Sequence, residues 1–470
     1  MEIVLIDAFK ILPKAVAMCA VLAISSVSQA SAQSLIRDAE IESTLHQFGA
    51  PLFEAGGLDP SKVNIYIVND DSLNAFVSGG QNMFLNTGFL MKSANPQEVI
   101  GVMAHETGHM TGGHNITRGQ AMNSAMGTSW IAIGLGVLAV AAGAPDAGAA
   151  LLASSQQAAA LTFFKYTRIE ESSADQAALN LLNDTHLPAD GLVSFMEEIR
   201  NSEVLSARRQ DPYYRTHPEV GPRIAALRTK AGEVTARAAP LPADYDDRLN
   251  MMRAKLTGFL HPTAVLSKYP SSDQSQPARY ARAIAAHQTQ DMTTALRETK
   301  SLIAESPDNP YFYELLGQIL FENGRLHESI EPHRKSVELA PDQTLLYVNL
   351  ARSLMTEGTT EANEEAESLL HKAITLDPGN GYAWKQLSFA LGAMGREPEA
   401  ELATAEAAFI IGDFQTANQF AQRALKDLDE GTTLWRRADD IAAITDARVG
   451  GGARSQGREG FSSHENLSNR

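Results

Sequence analysis

Cysteine is all but missing from this chain of 470 residues, where Cys19 is the only one. It lies in an apolar run near the N-terminus, so the chain beyond that run can have neither disulfides nor a thiolate metal site. Met18 precedes it where a lipid-anchor signal requires a small residue, which argues against lipidation. A basic excess is missing too: 39 Lys and Arg stand against 56 Asp and Glu, a formal charge of −17. That balance excludes nucleic acid, or an anionic membrane, as a partner held by charge alone. Charge itself is missing from residues 119–164, where Asp146 stands alone among Ala, Gly and Ser. Within it Met126 to Ala144 approaches the length of a membrane span, but its small residues make a poor one. The preferred reading is a helical hairpin over an active site, and contact with a membrane surface is the alternative.

What is present starts with an export signal. Lys10 and Lys14 precede an apolar run from Ala15 to Ile24, and Ala30-Ser31-Ala32 is a small-residue cleavage site. Cleavage after Ala32 is expected; Glu2 and Asp7, unusual before such a run, keep a retained anchor open as the competing reading. Export without disulfides, an acidic balance and a short signal fit a bacterial periplasm.

The length calls for two or more domains. Val63 to Val68 and Met83 to Leu85 read as strands with Gly79-Gly80 between them as a turn, and the rest reads as largely helical. The C-terminal half is periodic. Pro307, Pro341 and Pro378 punctuate it, and Tyr313, Leu316, Gly317, Gly324 and Ser329 recur as Tyr347, Leu350, Ala351, Gly358 and Ala366, with three extra residues near Thr359. That is the tetratricopeptide pattern of paired helices, whose concave face binds peptides or proteins; a generic helical bundle is the bland alternative. Ala295 with Pro307 marks an earlier repeat, and Trp384, Gly395 and Ala400, then Gly412, Ala417 and Ala424, mark later ones. The resulting division is a signal at 1–32, an N-terminal domain at 33–235, a structured linker at 236–275, repeats at 276–430, and a C-terminal helix with a tail at 431–470, disordered from Gly450.

The chemistry sits in His105-Glu106-Thr107-Gly108-His109. On a helix, two histidines four residues apart share a face and reach one zinc ion, with Glu106 beside the attacking water. Asn95 as N-cap, Pro96 at the first helical position, Glu98 three residues after the cap, and Gly112-Gly113 as a stop frame that helix. A third ligand is required. His114 falls one residue short of the metzincin register, which is Asn115, and reads as a structural or supporting histidine. Glu171 in Glu171-Ser172-Ser173-Ala174-Asp175 is the better candidate, with Asp175 one turn on to hold a ligand histidine's other ring nitrogen. Glu170 and Arg168 remain the competing pair.

Asn74-Ala75-Phe76, Gly79-Gly80, Asn86-Thr87-Gly88, the H-E-x-x-H helix ending at His114, the Arg168 to Asp175 segment and Thr216-His217-Pro218 through Arg223-Ile224 stand in the order found in HtpX-related zinc peptidases. The chain from about residue 35 to 430 resembles exported members of that group that carry tetratricopeptide repeats. The resemblance implies a gluzincin: one Zn2+ per chain on His105, His109 and Glu171, Glu106 as catalytic base, and Arg223 as the motif arginine. It also implies that His217 lies near the metal, blocking its fourth position at rest or stabilising the reacting carbonyl.

The fold expected is therefore mainly α: a zincin-type α+β peptidase domain with a small sheet, followed by an α-solenoid of repeats. The function expected is an exported zinc endopeptidase acting on unfolded or misassembled envelope proteins, its repeats docking clients or an outer-membrane assembly machine. A periplasmic chaperone or adaptor with a latent metal site is the alternative. The strand around Phe84, Leu85, Asn86 and Thr87 is expected at a sheet edge, where an extended substrate adds as a further strand.

Overall fold

The computed structural model describes residues 35–114, 168–205, His217 and 220–456. The readings of the signal up to Ala32, of the hairpin at 119–164 and of the tail beyond Gln456 lie outside the described residues. By internal contacts the chain forms two units, one of Leu35–Ile36 with Leu52–Ala239, the other of Arg37–Pro51 with Pro240 onward.

The first unit holds a four-stranded sheet of β1 (Leu35–Ile36), β2 (Asn64–Val68), β3 (Ala75–Ser78) and β4 (Asn82–Asn86) in the order β1-β2-β4-β3. Alternation decides its faces. Ile65 and Ile67 of β2 and Met83 and Leu85 of β4 are buried. On the opposite face Phe84 stacks on Phe76 at 4.9 Å and on Tyr66 at 5.1 Å between ring centres. β3 was not anticipated from sequence: four residues are too few to show a period. Gly79 and Gly80, at φ 62° and 94°, turn the chain from β3 into β4, a backbone that favours glycine. β4 pairs parallel with β2 and antiparallel with β3, so it lies inside the sheet and not at the edge expected for Phe84 to Asn86. Both of its backbone sides are spent on neighbours, and Thr87 is already the first residue of a helix. The free edge on that side belongs to β3.

Five helices of this unit matter for the site: α2 (Thr87–Lys92), α3 (Pro96–Thr111), α4 (168–184), α5 (Asp190–Leu205) and α6 (Val220–Thr235), numbered after α1 (Ala39–Ala55). α3 starts where its sequence says. The Asn95 side chain accepts from the Glu98 amide at 3.2 Å, and the Glu98 carboxylate accepts from the Ala94 amide at 2.6 Å and from Ser194 Oγ at 2.9 Å. Almost every residue from Glu98 to His109 is buried, so α3 is a core helix and holds its side chains rigidly. Its crossing with α5 is backbone to backbone: a Cβ on Gly101 would stand 2.6 Å from Leu192 N, and one on Gly191 2.2 Å from the Gln97 carbonyl carbon.

The second unit begins, in its main segment, with α7 (Tyr245–Leu260), so most of the stretch read as a linker is helical. Five helix pairs follow: α8 (Gln276–Gln288) with α9 (Met292–Glu305), α10 (Pro310–Glu322) with α11 (Leu326–Leu339), α12 (Thr344–Met355) with α13 (Thr360–Leu376), α14 (Gly381–Ala393) with α15 (Glu397–Ile410), and α16 (Phe414–Asp427) with α17 (Thr433–Gln456). The extra residues near Thr359 lengthen α13 to 17 residues against 14 in α11. Small residues such as Ala366, Ala373, Ala383 and Ala390 let neighbouring pairs close on Leu350, Leu370 and Leu387. α17 runs through Gly450 to Gln456, past the point where disorder was expected: extending an existing helix costs far less than nucleating one. Residues 37–51, read from sequence as part of the peptidase, count with the repeats, and Ala39 packs there with Ala340 and Leu346. Among the described residues no helix is long and apolar enough to cross a membrane.

Candidate metal centre

α3 presents His105 and His109 one turn apart, and α4 brings Glu171 against them. The approach depends on Gly108, whose missing side chain leaves room for α4: a Cβ there would stand 2.8 Å from the Ala174 carbonyl oxygen. His105 Nε2 lies 3.1 Å from His109 Nε2 and 3.4 Å from Glu171 Oε2, while His109 Nε2 lies 3.4 Å from Glu171 Oε1. His217 completes the group, its Nδ1 3.3 Å from His105 Nε2 and 3.0 Å from Glu171 Oε2. All four residues are buried, and their donor atoms lie within 4.8 Å of one another.

These spacings fit a metal ion. Zinc bonds of about 2.0–2.1 Å in a tetrahedron put neighbouring donors about 3.3 Å apart. The His105, His109, Glu171 and His217 atoms stand at 3.0–3.4 Å in the contacts given above, near that spacing. Three nitrogens and a carboxylate oxygen are also the donor chemistry that suits zinc.

The surroundings fix each donor. Asp175, one turn beyond Glu171, reaches His105 Nδ1 at 3.0 Å, leaving Nε2 for the metal side. His114 Nδ1 stands 2.9 Å from His109 Nδ1, so this histidine supports His109 from outside the donor group. Arg223 of α6 binds Asp175 with two nitrogens, Nε at 2.8 Å and Nη2 at 2.6 Å, and turns Nη1 to Glu171 Oε2 at 2.8 Å. One guanidinium thus aligns both carboxylates of α4. Glu106 is wholly buried, and its Oε1 lies 3.4 Å from His217 Nε2, which is also 3.2 Å from the carbonyl oxygen of Ala75 in β3.

The electrostatics follow from this packing. Burial alone would depress the His105 imidazole, but Asp175 and Glu171 overcome it and push it up to about 9. Burial drives His109 down to about 3, with Glu171 only partly opposing, so its ring is held neutral, the ligand form. Burial works against ionising Glu171, yet His217, His105 and His109 hold its carboxyl well below the usual range. Asp175, against its burial, is brought to about 2 by Arg223 and His105.

Of the side chains singled out by sequence, His105, Glu106, His109, Glu171, Asp175, His217 and Arg223 come together in one place. Phe84 to Thr87 do not form a free edge beside it; the element that meets the site there is β3, through Ala75. Sequence reasoning missed β3; it read His114 as a structural or supporting histidine, and the structure gives that reading a partner, His109.

Comparison with known proteins agrees with this layout. Residues 39–231 match peptidase family M48, and residues 261–431 match the cytochrome c-type biogenesis protein H TPR domain. The beta-barrel assembly-enhancing protease of Escherichia coli (strain K12) is 22% identical over 413 residues, 86% of this chain and 83% of its own. Its counterpart in Yersinia pestis is 23% identical over 388 residues, 82% of this chain and 79% of its own. A crystal structure of MamA protein, 20% identical, matches 40% of this chain and 98% of its own with a TM-score of 0.30. Residues 39–231 thus carry a peptidase family M48 domain and residues 261–431 a tetratricopeptide repeat domain, and with the similar proteases they mark a metalloendopeptidase.

Proposed function

We propose that this chain is a zinc-dependent endopeptidase of the bacterial periplasm that cuts unfolded or misassembled envelope proteins, its repeats docking clients or an outer-membrane assembly machine. The observation that carries the reading is the buried group of His105, His109, Glu171 and His217 with Glu106 beside it. The matching relatives, named for enhancing β-barrel assembly, support a protease acting on proteins in that assembly.

In this reading His105, His109 and Glu171 hold one Zn2+. Bound there, the metal would lower the pKa of a water toward about 7 and polarise a carbonyl. Glu106 accepts the proton of the attacking water and returns it to the leaving amine. Asp175 keeps His105 in the tautomer that leaves Nε2 free, and Arg223 holds both α4 carboxylates in register. Substrate adds to the free edge of β3, next to Ala75, in place of the β4 position first expected. Backbone pairing of that kind favours broad cleavage of unfolded segments.

His217 Nδ1 stands at the fourth corner of the donor group, where the reaction needs an open position, and its withdrawal would free that corner and leave its ring to stabilise the oxyanion. The same observation favours a second reading, a chaperone or adaptor with a latent site. The test is metal content with cleavage of unfolded β-casein by the mature protein. Glu106→Gln should keep one zinc and lose cleavage by about three orders of magnitude, and Glu171→Ala should lose both. Cleavage retained by pure Glu106→Gln overturns the peptidase reading; zinc without cleavage, not relieved in His217→Ala, moves it to the latent site.

A further inference from the structure

The first helices of successive repeat pairs share a face that is in two states along its length. Beside α8, α10 and α12 it is met by the start of the chain's own segment, Asp38 to Glu40. Asp38 and Glu40 bring their carboxylates to the buried Lys255 Nζ of α7 at 2.8 Å and 3.3 Å, and Tyr280 Oη donates to Glu40 at 2.8 Å. Glu314 of α10 joins the same lysine at 3.3 Å and accepts from Asn349 of α12 at 3.2 Å. The segment held there is acidic: Asp38, Glu40 and Glu42 stand among Ala39 and Ile41, and Glu40 is buried together with those two apolar residues.

One turn beyond Asn349 the face continues with side chains that this segment does not cover. The Arg352 guanidinium lies 4.8 Å from the Phe321 ring centre and 6.0 Å from that of Tyr382, so α10, α12 and α14 each contribute to one stack. Lys385 and Phe389 follow Tyr382 on the same face of α14, with the ammonium 5.9 Å from the Phe389 ring. Tyr382 is 43% and Phe389 54% exposed. Glu322, next to Phe321, is held by His287 and Gln318 and lies within Coulombic reach of Arg352, offsetting part of its charge, while Lys385 has no acidic partner among the described residues. Two cations among three rings form a local basic, aromatic surface on a chain of net charge −17. Clustered aromatics with arginine mark binding surfaces far more often than scattered apolar residues do.

We propose that the face from Phe321 to Phe389 docks an acidic segment, also bearing apolar side chains, of a partner or client protein, the chemistry of Asp38 to Glu42 supplied in trans. Carboxylates of that segment meet Arg352 and Lys385, and its apolar side chains lie on Phe321, Tyr382 and Phe389. The proposal rests on the reading of the repeats as the docking half and names what they recognise.

The test uses the full chain carrying Glu106→Gln, so that nothing is cut, and two fluorescent peptides read by anisotropy: one alternating Glu with Leu and Phe, the other with Lys in every Glu position. The acidic peptide should bind at least about tenfold tighter, and weaken as salt rises. Arg352→Ala with Lys385→Ala, and separately Phe389→Ala, should each cost about tenfold or more, with zinc content and thermal unfolding unchanged. Equal binding of the two peptides, or full affinity in the double variant, overturns the proposal. Zinc content and β-casein cleavage of the chain with Glu106 intact are read alongside. Their failure removes the peptidase reading and leaves the binding result to decide this site by itself.

Discussion

Replacing Gly108 by alanine tests whether the spacing of α3 and α4 sets the metal centre. The new Cβ would stand 2.8 Å from the Ala174 carbonyl oxygen, 3.2 Å from Ala174 Cα and 3.1 Å from Ala177 Cβ, where ordinary contact begins near 3.4 Å. Two of these neighbours are backbone and cannot rotate away, so α4 must retreat by about 0.5 Å, an overpacking cost of about 1–3 kcal/mol. Alanine is favoured over glycine inside a helix by about 1 kcal/mol, so the net loss of stability should be only about 0–2 kcal/mol. The metal should suffer more than the fold. α4 carries Glu171 and Asp175, and metal sites tolerate only about 0.2 Å in donor placement, so zinc affinity should fall about 10- to 100-fold. Competition with a chelator measures affinity, and chemical denaturation of the metal-free chain measures stability. Gly232→Ala in α6 is the control, because a Cβ there meets nothing within 4 Å and should stabilise by up to about 1 kcal/mol. Wild-type zinc affinity in Gly108→Ala, with Gly232→Ala behaving as expected, would refute the argument that this glycine sets the donor geometry.

Arg223→Ala leaves the buried carboxylates of Asp175 and Glu171 without their guanidinium and should cost about 3–5 kcal/mol in denaturation, together with zinc affinity; Arg223→Lys should recover part of the loss, since it restores charge without the two-pronged contact. His333 is buried against Ser353 Oγ at 2.8 Å, and burial with the Arg352 charge pushes its imidazole down to about 4. The unfolded chain takes up that proton near 6.5 and the folded one only near 4. Repeat stability should therefore fall by up to about 3 kcal/mol as pH drops across that window. His333→Leu should flatten the slope in urea titrations at pH 7 and 5, and an unchanged slope would count against it. Gln290 holds φ 64° at the turn where later pairs use Gly324, Gly358 and Gly395, so Gln290→Gly should stabilise the chain by about 1 kcal/mol, read as a rise in melting temperature.

Much of the site was readable because its chemistry is local. The spacing of His105, Glu106 and His109 needs only a helix to put two imidazoles and a carboxylate on adjacent turns, and Asn95, Pro96 and Glu98 announce where that helix starts. Glu171 with Asp175 was readable for the same reason, as two carboxylates one turn apart that both reach His105. The repeats were readable through Gly324, Gly358 and Gly395, which recur because each helix pair must turn through a left-handed backbone. β4 was misplaced because strand neighbours are chosen by packing: nothing in residues 82–86 says that β2 will pair with them in parallel and β3 on the other side. Likewise nothing in Arg37 to Pro51 says that its carboxylates will settle on Lys255, more than 200 residues away.

By itself the sequence determined the elements that carry function, since capping, helical spacing and repeat period act within a few residues. The tertiary structure decided how those elements share space. It set α4 against Gly108 so that Glu171 closes on two histidines, and placed His217 at the fourth corner. It gave the free sheet edge to β3 and lent the start of α1 to the repeats. Each of these depends on burial and charge pairing between residues far apart in the chain, where the energy belongs to the contact and not to either segment alone.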